Sequence, residues 1–215
     1  MNIAEELSRY DKLQEHAPEI KFLKIDSPFK LMSALSSGLV DWRDWVNIPG
    51  AKRFENLLNE IYQGESKLGF TKDGKLIRQV SKAVIDVVYT RMDGVQMRLF
   101  EEFYENGQWH SREPKEKVKK RGIQEKKLLK ETFRETALRG LEEEMGVTDL
   151  TPEEAQKLVH LFNSPDDRIS KGFPGLKTRY YYSDFVFNLP DRFYRPEYLV
   201  QEEGFKTRLV WEKIV

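Results

Sequence analysis

The sequence predicts an α/β protein: a helical N-terminal extension over residues 1–65, then a domain over residues 66–215 in which strands surround one acid-rich helix. Three observations predict it. Apolar residues recur at helical steps up to about Gly64 and at every second position after it. The stretch Glu131–Val147 returns to helical spacing, with Phe133, Ala137, Leu138, Leu141 and Met145 on one stripe. Further alternating runs follow and close the domain.

Taken in order, Ile3, Leu7 and Tyr10 share a face and predict a short amphipathic helix over residues 3–16. After Pro18, Glu19–Ile25 alternates like a strand or an extended connector. Ser27 and Pro28 make an N-cap followed by proline at the first helical position, so a helix should run to about Leu35 and stop at Ser36–Gly38. Trp42 and Trp45 are large apolar anchors for a core or a subdomain boundary. Phe54, Leu57, Leu58 and Ile61 make another helix, closed by Gly64. The dipeptides Asp73-Gly74 and Asp93-Gly94 favour tight turns and join antiparallel strands that run up to about Phe100, and Asn106-Gly107 makes a further turn ahead of Trp109. Glu113–Arg121 is a charge run, either a solvated loop or a basic rim for phosphate groups. Beyond the acidic helix, Thr151-Pro152-Glu153-Glu154 opens a helix to about His160, Asn163–Gly175 is a turn-rich loop, and Tyr180–Phe187 and Lys206–Glu212 are closing strands.

Composition narrows the function. The 36 basic and 36 acidic residues cancel, which argues against nucleic acid or an anionic membrane as the partner. With no cysteine there is no disulfide scaffold, thiolate metal site or cysteine nucleophile. The N-terminus lacks the basic start and apolar run of a signal peptide and no later run is long enough to span a bilayer, so the chain is read as cytoplasmic. A homodimer is compatible with all of this.

The polar face of the acidic helix carries Glu131, Glu135, Arg139 and Glu143 at four-residue steps, with Glu144 beside them, and Gly146 stands where the helix should stop. Consecutive Glu142, Glu143 and Glu144 repel one another unless a cation compensates. Magnesium suits such oxygens, since it is commonly held by one or two carboxylates together with substrate phosphate oxygens. A solvated acidic face is the alternative.

Arg139-Gly-Leu-Glu-Glu-Glu-Met-Gly-Val147 resembles the end of the Nudix box. That pattern runs glycine, five residues, glutamate, seven residues, then Arg-Glu-U-x-Glu-Glu-x-Gly-U, with U aliphatic. Glu131 falls at the first glutamate, seven residues separate it from Arg139, Leu141 is the first U, and Glu143, Glu144, Gly146 and Val147 complete the match. Trp109 and Pro114-Lys115-x-Lys117-Val118 resemble the segment that leads into the box. The resemblance covers roughly residues 66–215 and implies an α/β/α sandwich with a mixed sheet. It implies magnesium, with manganese as an alternative, held by Glu143 and Glu144, with Glu131 supporting the cluster and Arg139 orienting carboxylates. The implied reaction is hydrolysis of a nucleoside diphosphate linked to another moiety.

Two positions depart from the pattern. The glutamate after the arginine, which in the family supplies a metal ligand and often the base that activates water, is Gly140. The opening glycine is Glu125 by strict spacing back from Glu131, or Glu116 when aligned through Pro114 and Lys115, and Gly122 is a local substitute for the turn. Substitute carboxylates are Glu135, Asp166, Asp167, Glu202 and Glu203, with His110 and His160 weaker and His16 in the helical extension. Three functions follow: a magnesium-dependent Nudix hydrolase, a non-hydrolysing Nudix-fold module that binds a nucleotide-like ligand or a protein, or an interaction domain with a solvated acidic face.

Overall fold

Short turns dictate an antiparallel arrangement, and the computed structural model, which describes residues 19–105, 108–111, 122–162, 165–202 and 205–214, has one. Its elements are β1 (Ile20–Phe22), α1 (Pro28–Ser37), a 3-10 turn (Trp42–Asn47), α2 (Phe54–Tyr62), β2 (Ser66–Thr71), β3 (Leu76–Thr90), β4 (Gln96–Glu105), β5 (Gln108–Ser111) and β6 (Ile123–Lys126). There follow α3 (Phe133–Met145), α4 (Pro152–Gln156), β7 (Val159–Phe162), β8 (Asp166–Ile169), β9 (Lys177–Asn188), a 3-10 turn (Asp191–Phe193), β10 (Glu197–Glu202) and β11 (Phe205–Lys213). This is a mixed α+β chain with a large antiparallel sheet and few helices. Among the described residues no helix is long and apolar enough to cross a membrane. The helix expected over residues 3–16 lies outside the described residues.

By contact the chain divides into two compact units: Met1–Lys82, Lys126–Phe133 and Asn163–Tyr182 form the first, and Ala83–Glu125, Arg134–Phe162 and Ser183–Val215 the second. In the first, Ser27 caps α1 by accepting the Lys30 N–H, with Pro28 at the first helical position. Leu31, Leu35, Trp45, Leu57, Leu68, Phe173 and Leu176 are buried in one apolar cluster. Trp45 is a core anchor: its indole N–H donates to the Pro174 carbonyl at 2.8 Å and its ring lies 5.1 Å from that of Phe173. The hairpin of β2 and β3 closes at Gly74, which adopts φ of 76°. β8 pairs with the first half of β9, so part of the loop expected over residues 163–175 is a strand.

In the second unit, Ala83, Ile85 and Val87 of β3 are buried while Val84 and Asp86 are only half so, the alternation of a strand with one face on a core. β4 pairs with β3, β5 and β11, and β11 with β10, a strand the sequence does not announce because Glu197, Leu199 and Gln201 are no more apolar than a loop. Thr151 and Glu154 form the expected capping box, at 3.2 Å and 2.9 Å. The helix they open ends at Gln156 rather than near His160. Val159 pairs with Val186 and His160 with Phe185, so β7 satisfies its backbone on β9 instead.

The first unit also buries a charge. Glu60 of α2 contacts Arg78, Lys52 at 2.9 Å and Lys126 at 2.8 Å, and Lys126 reaches Glu65 at 2.5 Å. Burial alone would push the Glu60 pKa up; the charges of Arg78 and Lys126 outweigh it and hold it at about 2. Arg78, itself buried, lies over the ring of Phe173. Because the folded pKa lies below the unfolded value of 4.5, the unfolded chain takes up the proton first as pH falls. This group's contribution, roughly 3 kcal/mol from the size of the shift, should therefore be present above about pH 4.5 and lost toward about pH 2. Glu60→Gln should cost roughly 3–5 kcal/mol in urea unfolding at pH 7, since it strands Arg78. It should also flatten the acid limb of the stability curve.

Candidate functional site

α3 forms where Phe133, Ala137, Leu141 and Met145 repeat, and all four are buried. The buried face is wider than the apolar stripe predicts. Thr136 and Gly140 belong to it, whereas Leu138 is only half-buried. Glu135, Glu142 and Glu143 are exposed, and Arg139 and Glu144 are half-buried. Gly146 ends the helix at φ of 65°, its N–H donating to the Glu142 carbonyl at 2.8 Å.

What packs beside Gly140 is β6. Gly122 leads into that strand at φ of 61°, donates its N–H to the Leu99 carbonyl at 3.0 Å, and lies so close to the Ile85 carbonyl that a Cβ would collide with it. Gly122 is therefore the tight turn. A Cβ placed on Gly140 would lie 3.1 Å from the Glu125 Cβ, 3.4 Å from Ile123 Cγ2 and 3.5 Å from Ile85 Cδ1. Arg139 is shared between two carboxylates, with Nη1 at 3.0 Å from Glu125 Oε1 and 3.2 Å from Glu143 Oε2. The Glu125 side chain is 19% exposed and that of Glu143 53%, so Glu125 is the less screened partner.

Glu142, Glu143 and Glu144 border an open groove of about 460 Å³ whose other wall includes Arg195, Glu197, Tyr198 and Leu199. Arg195 is held through its backbone: the Tyr198 hydroxyl accepts its N–H at 3.2 Å, and its carbonyl accepts the Trp211 indole N–H at 2.8 Å. Tyr198 in turn donates to the Phe193 carbonyl at 2.6 Å, and burial pushes its pKa up to about 12, so the hydroxyl keeps its proton. Among the described residues no carboxylate pairs with the Arg195 guanidinium. Sequence reasoning missed Arg195, since the contacts that fix it come from Tyr198 and Trp211.

The predicted site residues thus divide. Arg139 and Glu143 are in contact, and Glu143 and Glu144 border one groove. Glu131 belongs to the first unit, half-buried, its carboxylate accepting the Leu128 N–H at 3.1 Å. Glu135 lines a second groove with Leu138, Arg139 and Glu142, so that Glu142 borders both. Asp166 pairs with Arg168, and Asp167 with Arg179 and Lys177; the hydrogen bond from Arg179 holds the Asp167 carboxyl below its ordinary range. Burial pushes the His160 pKa down to about 4, and its half-buried ring packs 4.8 Å from that of Phe185. The His110 ring lies 5.6 Å from that of Phe103. His16, Glu116, Glu203 and the basic run Glu113–Arg121 lie outside the described residues, as does the side chain of Glu202.

Among the described residues no three His, Cys, Asp or Glu side chains gather as a complete metal site. Glu143 and Glu144 nevertheless suit magnesium as oxygen donors on an open groove, where phosphate oxygens and water can fill the remaining positions.

No family model matches the chain, and no curated protein matches it. Solved structures similar to it include the T. brucei MERS1–RNA complex, at 18% identity and TM-score 0.29, covering 52% of this chain and 34% of that one. A C. elegans Ap4A hydrolase binary complex is similar at 14% identity and TM-score 0.31, covering 60% and 77%. T. brucei MERS1 in its apo form is similar at 15% identity and TM-score 0.28, covering 64% and 44%. The chain thus spans less than half the length of the MERS1 chains. Likenesses of this degree carry no argument, and function is read from the chain's own residues.

Gly122 and Gly94 make a matched pair for testing the close approach of β6. Both have positive φ, but a Cβ on Gly94 meets nothing within 4 Å. Gly94→Ala should cost roughly 1–2 kcal/mol in urea unfolding, the ordinary strain of an L-residue at positive φ. Gly122→Ala should cost clearly more, since the Ile85 backbone must also move.

Proposed function

We propose that the chain is a Nudix-type hydrolase of a nucleoside diphosphate linked to another moiety, dependent on magnesium or manganese and slower than a protein with a complete box. The α/β/α sandwich, the division at residues 65 and 66, and a cytoplasmic setting with a small-molecule substrate belong to the same reading. One observation carries it: Arg139 holds Glu143 beside Glu144 on a groove whose far wall presents the backbone-fixed Arg195, which no carboxylate pairs with among the described residues.

The chemistry divides among these groups. Glu143 and Glu144 would hold the metal, which when bound polarises a phosphoryl group and neutralises the leaving phosphate. Arg139 keeps the Glu143 carboxylate in one place. Arg195 is suited to a phosphate oxygen, binding and orienting it as a charge-assisted donor. Water would attack a phosphorus, and the attack and the departure of a phosphate are in line in such reactions. The second reading, a binding module without hydrolysis, is favoured by the burial of Gly140, where no base can stand.

A panel of diphosphate-linked nucleosides with magnesium or manganese separates the two. Metal-dependent turnover by the parent, reduced roughly 10–100-fold in Glu144→Gln, is the outcome expected of a hydrolase. Ligands that raise the melting temperature without turnover would replace it with the module. In either case Arg195→Ala should weaken affinity or raise KM roughly tenfold or more, the worth of one charged hydrogen bond, and leave the melting temperature nearly unchanged.

A further inference from the structure

The box pattern is broken at two places, and the fold brings those two places into contact. The pattern has a glycine six residues before Glu131 and a glutamate after Arg139; this chain has Glu125 at the first and Gly140 at the second. A Cβ on Gly140 would stand 3.1 Å from the Cβ of Glu125, tighter than ordinary contact, so glutamates at both positions would crowd each other and repel. The Glu125 carboxylate reaches Arg139, the residue next to Gly140, at 3.0 Å. Arg139 also holds Glu143 at 3.2 Å. Gly122 meanwhile makes the tight turn at the start of β6, so position 125 is released from needing a glycine.

We propose that Glu125 and Gly140 are a reciprocal exchange: the helix lacks a carboxylate after Arg139, and β6 brings one against that position and onto Arg139 itself. Glu125 is a positioning residue. It fixes the Arg139 guanidinium from the strand side, and Arg139 fixes Glu143 at the groove. A solvated acid paired with a neighbouring arginine would account for the 3.0 Å contact, but it does not account for a glycine standing where that acid needs room. This inference rests on the function proposed above, because positioning Glu143 matters only if Glu143 meets a ligand.

Four proteins test it: the parent, Glu125→Gln, Gly140→Glu, and the double variant Glu125→Gly with Gly140→Glu. Each is measured for thermal melting and for binding of Mn2+ in the presence of imidodiphosphate, by electron paramagnetic resonance. Gly140→Glu should melt several degrees below the parent, and the double variant should regain most of that loss, a strongly non-additive cycle of residues in contact. Glu125→Gln should keep the parent's melting temperature within a few degrees yet weaken Mn2+–imidodiphosphate binding roughly tenfold, as removal of an outer partner of a metal ligand does. The double variant should restore binding to within about threefold of the parent, because a helix-borne carboxylate then stands where the pattern puts it. Additive melting, or unchanged binding in Glu125→Gln beside a parent that binds, overturns the exchange and leaves the proposed function standing. A parent that binds no Mn2+ with imidodiphosphate overturns both.

Discussion

The close approach of β6 to α3 at Gly140 is the constraint on which the rest of the site depends. A helix surface normally keeps its neighbours at side-chain distance; without a Cβ at Gly140, Ile123, Glu125 and Ile85 fill that space directly. The strand reaches this position because Gly122 turns at positive φ against the Ile85 carbonyl, a conformation and a distance that no other residue tolerates together. Ile123 is then buried, and Glu125, two residues on, comes within ion-pair distance of Arg139. Two glycines on different elements thus create the contact, and neither has a side chain of its own to offer the chemistry.

Electrostatics decide what such a groove can accept. Its wall carries Glu142, Glu143, Glu144 and Glu197 against one guanidinium, Arg195, with Arg139 already shared between Glu125 and Glu143. Two unit charges of like sign 4 Å apart repel by about 4 kcal/mol at an effective dielectric of about 20. In the proposed hydrolase a bare diphosphate would meet a repulsive wall, since one guanidinium does not offset several carboxylates. A diphosphate that brings a divalent cation reverses the sign for the carboxylates while keeping its outer oxygens for Arg195.

Much of this is legible in the sequence, and what is not has a physical reason. The capped start of α1, the turns at Gly74 and Gly94, the capping box at Thr151 and the stop at Gly146 depend on residues within a few positions of one another, and local chemistry announces them. β6, β7 and β10 were not announced, because their alternation is short or interrupted by charge and long-range pairing alone makes them strands. In the candidate site, Arg139 and Glu143 are one helical turn apart and their contact follows from spacing. The Glu125 contact required knowing that β6 lies against α3, although the coincidence of Glu125 with the box glycine was already a sign. Arg195 left no sign at all, since its importance comes from Tyr198 and Trp211 holding its backbone.

Consecutive side chains on a strand point to opposite faces, and β6 uses both faces for charge. Glu125 pairs with Arg139, whereas Lys126 pairs with Glu60 and Glu65. A slip of one residue in the strand would set Lys126 or Gln124 where Glu125 stands. Either slip loses the Glu125–Arg139 pair, and the first also sets a cation beside Arg139. The register of β6 is thereby favoured by the Glu125–Arg139 pair as well as by the burial of Ile123. The placement of the Glu125 carboxylate beside Gly140 is thus tied to the burial of Ile123 on the same strand, and it cannot drift without exposing that side chain.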